Sequence, residues 1–487
     1  MNLSNLTAAQ GLDLLRRKNI SAAEWTDSLL ANISDNQRLN AFITPDEENA
    51  RRQSRLADAA YADNTPRPLE GLPVAVKDIF CTKDLKTTAA SDILKNFVPT
   101  YDSTVTLRLQ RAGAVILGKT NMDEFAMGSS NENSAFGPAR NPWSRDIPLS
   151  PGGSSGGSAV AVAARLAPVA LGTDTGGSVR QPASLCGVVG FKPTYGRLSR
   201  FGVIAFASSL DQPGFIARTV DDIAPLFAVA AGHDPLDSTS AAQEVPARPE
   251  NISTLNGLRV ALPEEFTDNA APQILSAYEK GAEILRQCGA EIIDASLPHT
   301  DYALAAYYII APAEASANLA RYDGVRYGER AADENASLDE LYEASRAAGF
   351  GDEVKRRILI GAYVLSAGYY DAYYNRARKV RTLVARDFQN VFEGADLILA
   401  PAAASDAFLI GERADPTWMY QQDIFTVPAS LAGLPAISLP VMLSENGLPV
   451  GLQLIAPHFA EARLLACAKI FEDAAAFTAA PPAVDTE

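Results

Sequence analysis

Histidine and cysteine are both scarce in this chain of 487 residues. The three histidines and four cysteines are widely scattered and include no CxxC or HExxH spacing, which argues against a structural zinc site and against a disulfide framework. Hydrolysis by a histidine base needs a histidine beside the nucleophile, so we expect any catalytic site here to use a different base. These residues are His233, His299, His458, Cys81, Cys186, Cys288 and Cys467.

Positive charge is also in short supply, with 42 Lys and Arg against 58 Asp and Glu and a net charge of −16. Neutralising nucleic-acid phosphates takes clustered Lys and Arg, so we predict that this chain does not hold RNA or DNA by itself. The longest charge-free window, residues 424–444, contains Pro428, Pro435 and Pro440, which would interrupt a membrane-spanning helix. The N-terminus lacks the apolar stretch of a secretory signal. We therefore expect a cytoplasmic protein without membrane contact.

The pattern of apolar residues indicates the fold class. With 47% hydrophobic and 21% charged residues the chain can bury a large core. Thr7 with Gln10 and Ser21 with Glu24 form capping-box patterns, each of which predicts the start of a helix. Residues 258–293 have the pattern of a strand, a helix and a second strand. The sequence therefore predicts an α/β fold.

Two glycine–serine clusters, PGGSSGGSA at 151–159 and LGTDTGGSVR at 171–180, are candidates for a functional site. Taken alone, each is more typical of a glycine-rich turn. Neither is followed by Gly-Lys-Ser/Thr and neither has GxGxxG spacing, which excludes the familiar phosphate loops.

A third segment, GLPVAVKDIF at 71–80, places Lys77 directly after an apolar run. A lysine held among apolar groups has a lowered pKa and can act as a general base near neutral pH. The alternative is an exposed lysine at a strand end that pairs with Asp78.

Together with GSSNENSAFGPARNPW and GFKPTYGRLSR, these segments resemble the amidase signature family over residues of about 70–215. The resemblance implies a Ser-cisSer-Lys triad, with Ser178 as nucleophile, Ser154 as the bridging serine after a cis peptide, and Lys77 as base. An alcohol attacks an amide only when a base removes its proton, and the Ser154 hydroxyl can accept from one partner while donating to the other. A lysine base also agrees with the shortage of histidine.

The segment around the nucleophile also predicts an oxyanion hole. Its successive backbone N–H groups can converge on one point because the glycines leave the approach open. Asp174 and Arg180 flank this segment, and we assign them to holding it, with an ordinary solvated ion pair as the alternative. We expect no metal ion. The predicted oxyanion-hole residues are Thr175, Gly176, Gly177 and Ser178.

Later segments extend the likeness over nearly the whole chain. Residues 306–328, 349–381 and 420–440 resemble the A subunits of the bacterial glutamyl-tRNA(Gln) amidotransferases. This resemblance implies glutamine as substrate and ammonia donor. An α-amino acid presents a carboxylate and an ammonium group, so its pocket needs a cation and an anion.

The resemblance assigns Arg356 to the glutamine carboxylate and Asp423 to its ammonium group, with Tyr307 assisting. Arg357 and Tyr308 are alternatives one position along the chain. The two arginines could instead form a solvated helix face, whereas Asp423 is a charge at the start of a long apolar stretch.

The same resemblance implies a heterotrimer with B and C subunits. The released ammonia would convert Glu-tRNA(Gln) to Gln-tRNA(Gln), with Asp-tRNA(Asn) as an open second acceptor. A partner chain would hold the tRNA and use ATP and Mg²⁺, which leaves this chain without a cofactor. One alternative is a stand-alone amidase for small aliphatic or aryl amides. Another is a non-catalytic scaffold, against which the intact triad argues.

The implied architecture is the amidase signature fold, a mixed β-sheet covered by helices on both faces. We expect one domain over residues 1–487. Within it, the predicted parts are an N-terminal helical segment at 1–65, a signature core at 66–217, the remaining sheet and substrate-binding region at 257–475, and a mobile tail at 476–487.

Overall fold

The computed structural model describes residues 2–246, 248–268, 270–331, 333, 335–412 and 415–482. Residues 483–487, the end of the predicted tail, lie outside this part of the chain. Among the described residues, no helix is both long enough and apolar enough to cross a membrane.

The described strands form a single eleven-stranded sheet. They are β1 (Phe42–Pro45), β2 (Pro73–Lys77), β3 (Val115–Thr120), β4 (Val169–Asp174), β5 (Val189–Lys192), β6 (Gln212–Ala217), β7 (Arg259–Pro263), β8 (Glu291–Ala295), β9 (Leu397–Pro401), β10 (Ala436–Leu443) and β11 (Pro449–Ile455). Their order across the sheet is β1-β3-β2-β4-β6-β5-β10-β11-β9-β7-β8.

The sheet is mixed, as the family resemblance implies. β2 lies between β3 and β4 and runs parallel to both, and β7 is parallel to β8 and β9. The other pairs are antiparallel. Every residue of β2, β3 and β4 is buried, which explains their near-continuous apolar sequence. Because β2 and β4 are parallel, their carboxyl ends meet at one edge of the sheet.

Fifteen α-helices surround the sheet in the described part of the chain. They are α1 (Ala8–Arg16), α2 (Ala22–Asp35), α3 (Glu47–Ala62), α4 (Thr104–Arg111), α5 (Gly156–Ala163), α6 (Arg180–Cys186), α7 (Val220–Ala230), α8 (Pro272–Gln287), α9 (Ala303–Leu319), α10 (Leu338–Gly349), α11 (Asp352–Leu365), α12 (Arg376–Phe392), α13 (Pro416–Gln421), α14 (Val427–Leu431) and α15 (Glu461–Ala475).

Local sequence signals account for several of these elements. Both predicted capping boxes are confirmed: Thr7 and Gln10 open α1, and Ser21 and Glu24 open α2. The strand–helix–strand prediction for residues 258–293 is also confirmed, because β7, α8 and β8 follow one another and the two strands are parallel.

Four helices position the candidate site. α5 begins within the first glycine–serine cluster, at Gly156, and α6 begins at Arg180, the last residue of the second. Each cluster therefore forms a tight connection into a helix rather than an exposed loop. In the second half of the chain, α9 and α11 pack against each other. α9 carries Tyr307 and Tyr308, and α11 carries Arg356 and Arg357.

Candidate active site

Lys77 is the last residue of β2 and is completely buried. Its Nζ lies 2.7 Å from Ser154 Oγ, 2.9 Å from Ser155 Oγ and 2.9 Å from Thr173 Oγ1. Three hydroxyl groups thus surround the amine. Asp78, the alternative partner considered from sequence, faces Lys119 instead, with 3.6 Å between Lys119 Nζ and Asp78 Oδ1.

Burial dominates the protonation of Lys77. It lowers the pKa of the amine to about 7, although the negative charges of Asp123, Asp174 and Asp211 act in the opposite direction. Removing an ammonium group from water disfavours its charged form. A substantial fraction of Lys77 is therefore neutral at physiological pH, and a neutral amine can accept a proton from Ser154.

The segment that carries Ser154 is fixed from several sides. The peptide bond between Gly153 and Ser154 is cis, as the family resemblance implies. The Asp123 backbone N–H donates to the Ser154 carbonyl oxygen over 3.2 Å, and the Gly153 N–H donates to Gln181 Oε1 over 3.0 Å. A methyl group at Gly153 would come within 2.0 Å of Asp123 Oδ2, so only glycine fits there.

Ser178 occupies the connection between β4 and α6 and remains slightly open, at 7% exposure. Its hydroxyl makes no hydrogen bond to the rest of the described protein. The Ser155 backbone N–H donates to the Ser178 carbonyl oxygen over 3.1 Å, which ties the two serine segments together. Lys77, Ser154 and Ser178 are therefore brought to one place, the edge at which β2 and β4 end.

Close packing explains the two glycines before Ser178. A methyl group at Gly176 would lie 2.8 Å from the Tyr307 hydroxyl oxygen, and one at Gly177 would lie 2.1 Å from Thr426 Oγ1. The Thr175 side chain is fixed by a hydrogen bond, in which its hydroxyl donates to Asp211 Oδ1 over 2.8 Å. The predicted oxyanion segment thus packs against residues from distant parts of the chain.

Asp174 and Arg180 form a buried ion pair that spans this segment, and neither side chain is solvated. Arg180 Nε and Nη2 each lie 2.9 Å from one oxygen of Asp174. Burial acts to raise the pKa of Asp174, but the Arg180 guanidinium holds it below its usual value. Arg180 also donates to Gln453 Oε1 and Ser430 Oγ, over 2.7 Å and 2.8 Å.

Asp423 is another buried carboxylate. The Ser129 hydroxyl is 2.9 Å from both of its oxygens, and the Tyr308 hydroxyl donates to Oδ2 over 3.0 Å. Burial raises the pKa of Asp423 to about 6 against the effect of these hydrogen bonds. Tyr308 therefore contacts the predicted ammonium site, while Tyr307 packs on the oxyanion segment.

The two adjacent arginines of α11 have different surroundings. Arg357 is 3% exposed; its Nε donates to Glu353 Oε1 over 2.7 Å and its guanidinium lies 5.2 Å from the centre of the Tyr308 ring. Neither of its terminal nitrogens bonds to another described residue. Arg356 is 43% exposed, pairs with Glu353 and borders a cavity of about 250 Å³. Only Arg356 resembles the solvated helix face considered from sequence.

Several supporting residues were not found from sequence. They lie one or two positions from predicted residues, or in separate segments that only the fold brings together. Ser155 and Thr173 could have been inferred from their motifs, whereas the others have no local signal. These residues are Asp123, Ser129, Ser155, Thr173, Gln181, Asp211 and Thr426.

Comparison with known proteins adds to this geometry. The sequence model of the Amidase family matches residues 24–465. The chain belongs to the amidase family. This amidase is 57% identical to the A subunit of glutamyl-tRNA(Gln) amidotransferase from Granulibacter bethesdensis, in an alignment that covers 98% of the chain and 97% of the relative. It is 54% identical to the protein of the same name from Zymomonas mobilis, in an alignment that covers 98% of the chain and 99% of that relative.

A solved structure supports the same relationship. The crystal structure of the A subunit of glutamyl-tRNA(Gln) amidotransferase from Thermotoga maritima superposes on this amidase with a TM-score of 0.77 at 40% identity. The superposition covers 97% of the amidase and 94% of the other chain. The predictions of the family and of its α/β fold are therefore confirmed.

Proposed function

We propose that this amidase is the glutamine-hydrolysing subunit of a tRNA-dependent amidotransferase. The observation that carries the proposal is the pairing of a buried lysine–serine centre with a carboxylate, Asp423, and a guanidinium, Arg357, close to one another. A simple aliphatic or aryl amide needs neither charge. The α-carbon of glutamine carries both an ammonium and a carboxylate group, so it needs both. The relatives that are named as A subunits of this amidotransferase align over nearly their full length, which supports the same choice.

In the proposed reaction, neutral Lys77 accepts a proton from Ser154 while Ser154 accepts the proton of Ser178. The Ser178 oxygen then attacks the side-chain carbonyl carbon of glutamine. The negative charge that develops on the carbonyl oxygen is stabilised by the backbone N–H groups of the segment from Thr175 to Ser178.

Return of the proton through Ser154 to the amide nitrogen releases ammonia and leaves a γ-glutamyl ester on Ser178. Water, deprotonated by the same pair, hydrolyses the ester to glutamate and restores the serine. The sum is glutamine plus water giving glutamate plus ammonia.

The arginine pair of α11 completes the substrate site in this proposal. Asp423 binds the ammonium group, and one of the two arginines, Arg356 or Arg357, binds the carboxylate. Arg357 is better placed than Arg356, because its buried guanidinium lies beside the ring of Tyr308, whose hydroxyl bonds to Asp423. The assisting tyrosine is correspondingly Tyr308, while Tyr307 keeps the oxyanion segment in position.

The remaining steps belong to partner chains. B and C subunits form a heterotrimer with this amidase in the cytoplasm, and a partner binds the misacylated tRNA and activates its glutamyl group with ATP and Mg²⁺. The net charge of this chain, −16, agrees with binding of the tRNA by another chain of the complex. Aspartyl-tRNA(Asn) is a second acceptor that the same ammonia could serve.

The test compares two ammonia sources in the assembled complex. Ser178→Ala removes the nucleophile and should abolish amidation of Glu-tRNA(Gln) with glutamine, while amidation with added ammonium chloride continues. Ser158→Ala is the matched control: it removes a buried hydroxyl from the other glycine–serine cluster, and that hydroxyl bonds to Thr120 and Leu171 rather than to Lys77. Loss of both activities in Ser178→Ala would contradict the proposal. Efficient hydrolysis of simple amides by the isolated chain would favour a stand-alone amidase.

A further inference from the structure

Glu124 is a buried carboxylate to which the proposed chemistry assigns no role. It is 2% exposed and lies in the short turn after β3. Its Oε2 accepts the backbone N–H of Gly351 over 2.8 Å, and its Oε1 accepts the Ser91 hydroxyl. Burial raises the pKa of this carboxyl group to about 7.

The contact of Glu124 falls at the start of the helix that carries the arginine pair. Gly351 caps α11, which begins at Asp352. The first N–H groups of a helix have no partner within it, and a carboxylate that accepts one of them fixes the position of that end. On the other side of the same turn, the Ser91 hydroxyl lies 3.1 Å from the Gly349 carbonyl oxygen. The α10–α11 turn is therefore held at both sides.

The packing leaves little freedom at this contact. A methyl group at Gly351 would come within 2.5 Å of Glu124 Oε2. A methyl group at Gly349 would lie 2.6 Å from Ile93 Cδ1. Any shift of the carboxylate would consequently be transmitted to the first turn of α11.

The preceding residue connects the same turn to the triad. Asp123 accepts the backbone N–H groups of Asn131 and Asn133, over 2.9 Å and 3.2 Å. Its own N–H donates to the Ser154 carbonyl oxygen over 3.2 Å. Ser129, which contacts Asp423, lies two residues before Asn131 in the same loop. Two adjacent carboxylates thus join the bridging serine, the ammonium site and α11.

We propose that Glu124 is a positioning residue that fixes α11, and with it the arginine pair, at the correct distance from Asp423 and the triad. The role rests on the proposed glutaminase function and deepens it. Glu124 touches neither substrate nor triad, so its removal should weaken the recognition of the glutamine head group while the reactivity of Ser178 remains.

The experiment uses the assembled complex and two substrates. Glu124→Ala should raise the KM for glutamine about tenfold, the effect expected for a lost buried hydrogen bond, while kcat changes less. The ester p-nitrophenyl butyrate lacks the α-amino and α-carboxylate groups, so its acylation of Ser178 should proceed at the wild-type rate. Glu124→Gln retains an oxygen for the Gly351 N–H and should restore most of the affinity.

Two further variants make the test independent of folding. Gly351→Ala is compatible with the backbone, since φ at this position is −72°. Its methyl group would displace the Glu124 carboxylate from the Gly351 N–H, so this variant should reproduce the increase in KM. Glu24→Ala removes a carboxylate from the start of α2, where it accepts the Ser21 N–H over 2.8 Å, and should leave KM unchanged.

Each outcome has a separate meaning. An unchanged KM in both Glu124→Ala and Gly351→Ala would overturn the role of Glu124. An equal loss of ester acylation and of glutamine turnover would also overturn it, because the residue would then support the triad. A wild-type complex that reacts with the ester but not with glutamine would refute the proposed function itself.

Discussion

Lys77 Nζ lies 2.7 Å from Ser154 Oγ, and both residues are completely buried. This contact joins the end of a central strand to a glycine-rich connection 77 residues later. In the proposed mechanism, this contact would allow a desolvated lysine to replace imidazole as the base, in a chain with three histidines.

Replacing that lysine should remove the base without unfolding the protein. In Lys77→Met we expect kcat for glutamine to fall about a thousandfold, within the range for loss of general base catalysis. Lys192→Met is a matched control, because Lys192 is also buried with its pKa lowered by burial to about 7, but its Nζ contacts the Pro193 carbonyl oxygen. Lys192→Met should lower the stability of the protein more than it lowers kcat. A comparable fall in kcat for the control would contradict the assignment.

The pH dependence of kcat provides an independent check on Lys77. Burial lowers the pKa of this amine to about 7, and only the neutral amine can accept a proton. We therefore expect kcat for glutamine to be low at pH 5, to rise through about pH 7 and to level off above it. Initial rates at saturating glutamine would measure this rise of kcat with pH. A kcat independent of pH between 5 and 9 would exclude Lys77 as the base.

Protonation of Asp423 should change the KM for glutamine rather than kcat. Burial raises its pKa to about 6, so the carboxyl group becomes neutral as the pH falls through that value and no longer attracts the glutamine ammonium group. KM should rise below pH 6, while the limb in kcat stays near pH 7. Asp423→Asn should have a high KM at every pH. A variant whose KM still varied through pH 6 as in the wild type would assign the ammonium site elsewhere.

The sequence assigned single residues to the proposed triad but left the proposed substrate pocket ambiguous by one position. The family resemblance assigns each residue of the proposed triad to one position of a motif, and the parallel strands β2 and β4 bring two of these motifs together at their carboxyl ends. By contrast, Asp423, Tyr308 and Arg357 meet only through the packing of α9, α11 and a later turn. Adjacent residues on a helix point about 100° apart, so a one-residue ambiguity in sequence becomes a different direction in space. Only the helix orientation separates Arg357 from Arg356.

That separation can be measured with two conservative variants. Lysine cannot reproduce the two-pronged contact of a guanidinium with a carboxylate. Arg357→Lys should therefore raise the KM for glutamine roughly tenfold, whereas Arg356→Lys, at a half-exposed position, should change it by less than about threefold. Each variant is the control for the other, because both retain the charge on the same helix. The reverse order of effects would assign the carboxylate to Arg356.

The ion pair between Asp174 and Arg180 should govern stability as well as the shape of the oxyanion segment. Neither side chain is exposed, so Arg180→Met would leave Asp174 as an uncompensated buried charge and lower the free energy of unfolding by about 3–5 kcal/mol. Urea titration followed by tryptophan fluorescence would measure the change. Arg17→Met is the control, since its pair with Asp13 is exposed at 67% and 50% and should leave the midpoint unchanged. At temperatures where Arg180→Met remains folded, kcat should still be reduced, because the two residues on either side of Thr175 to Ser178 are no longer joined. A variant with reduced stability but wild-type kcat would show that the N–H groups of this segment keep their position without the ion pair.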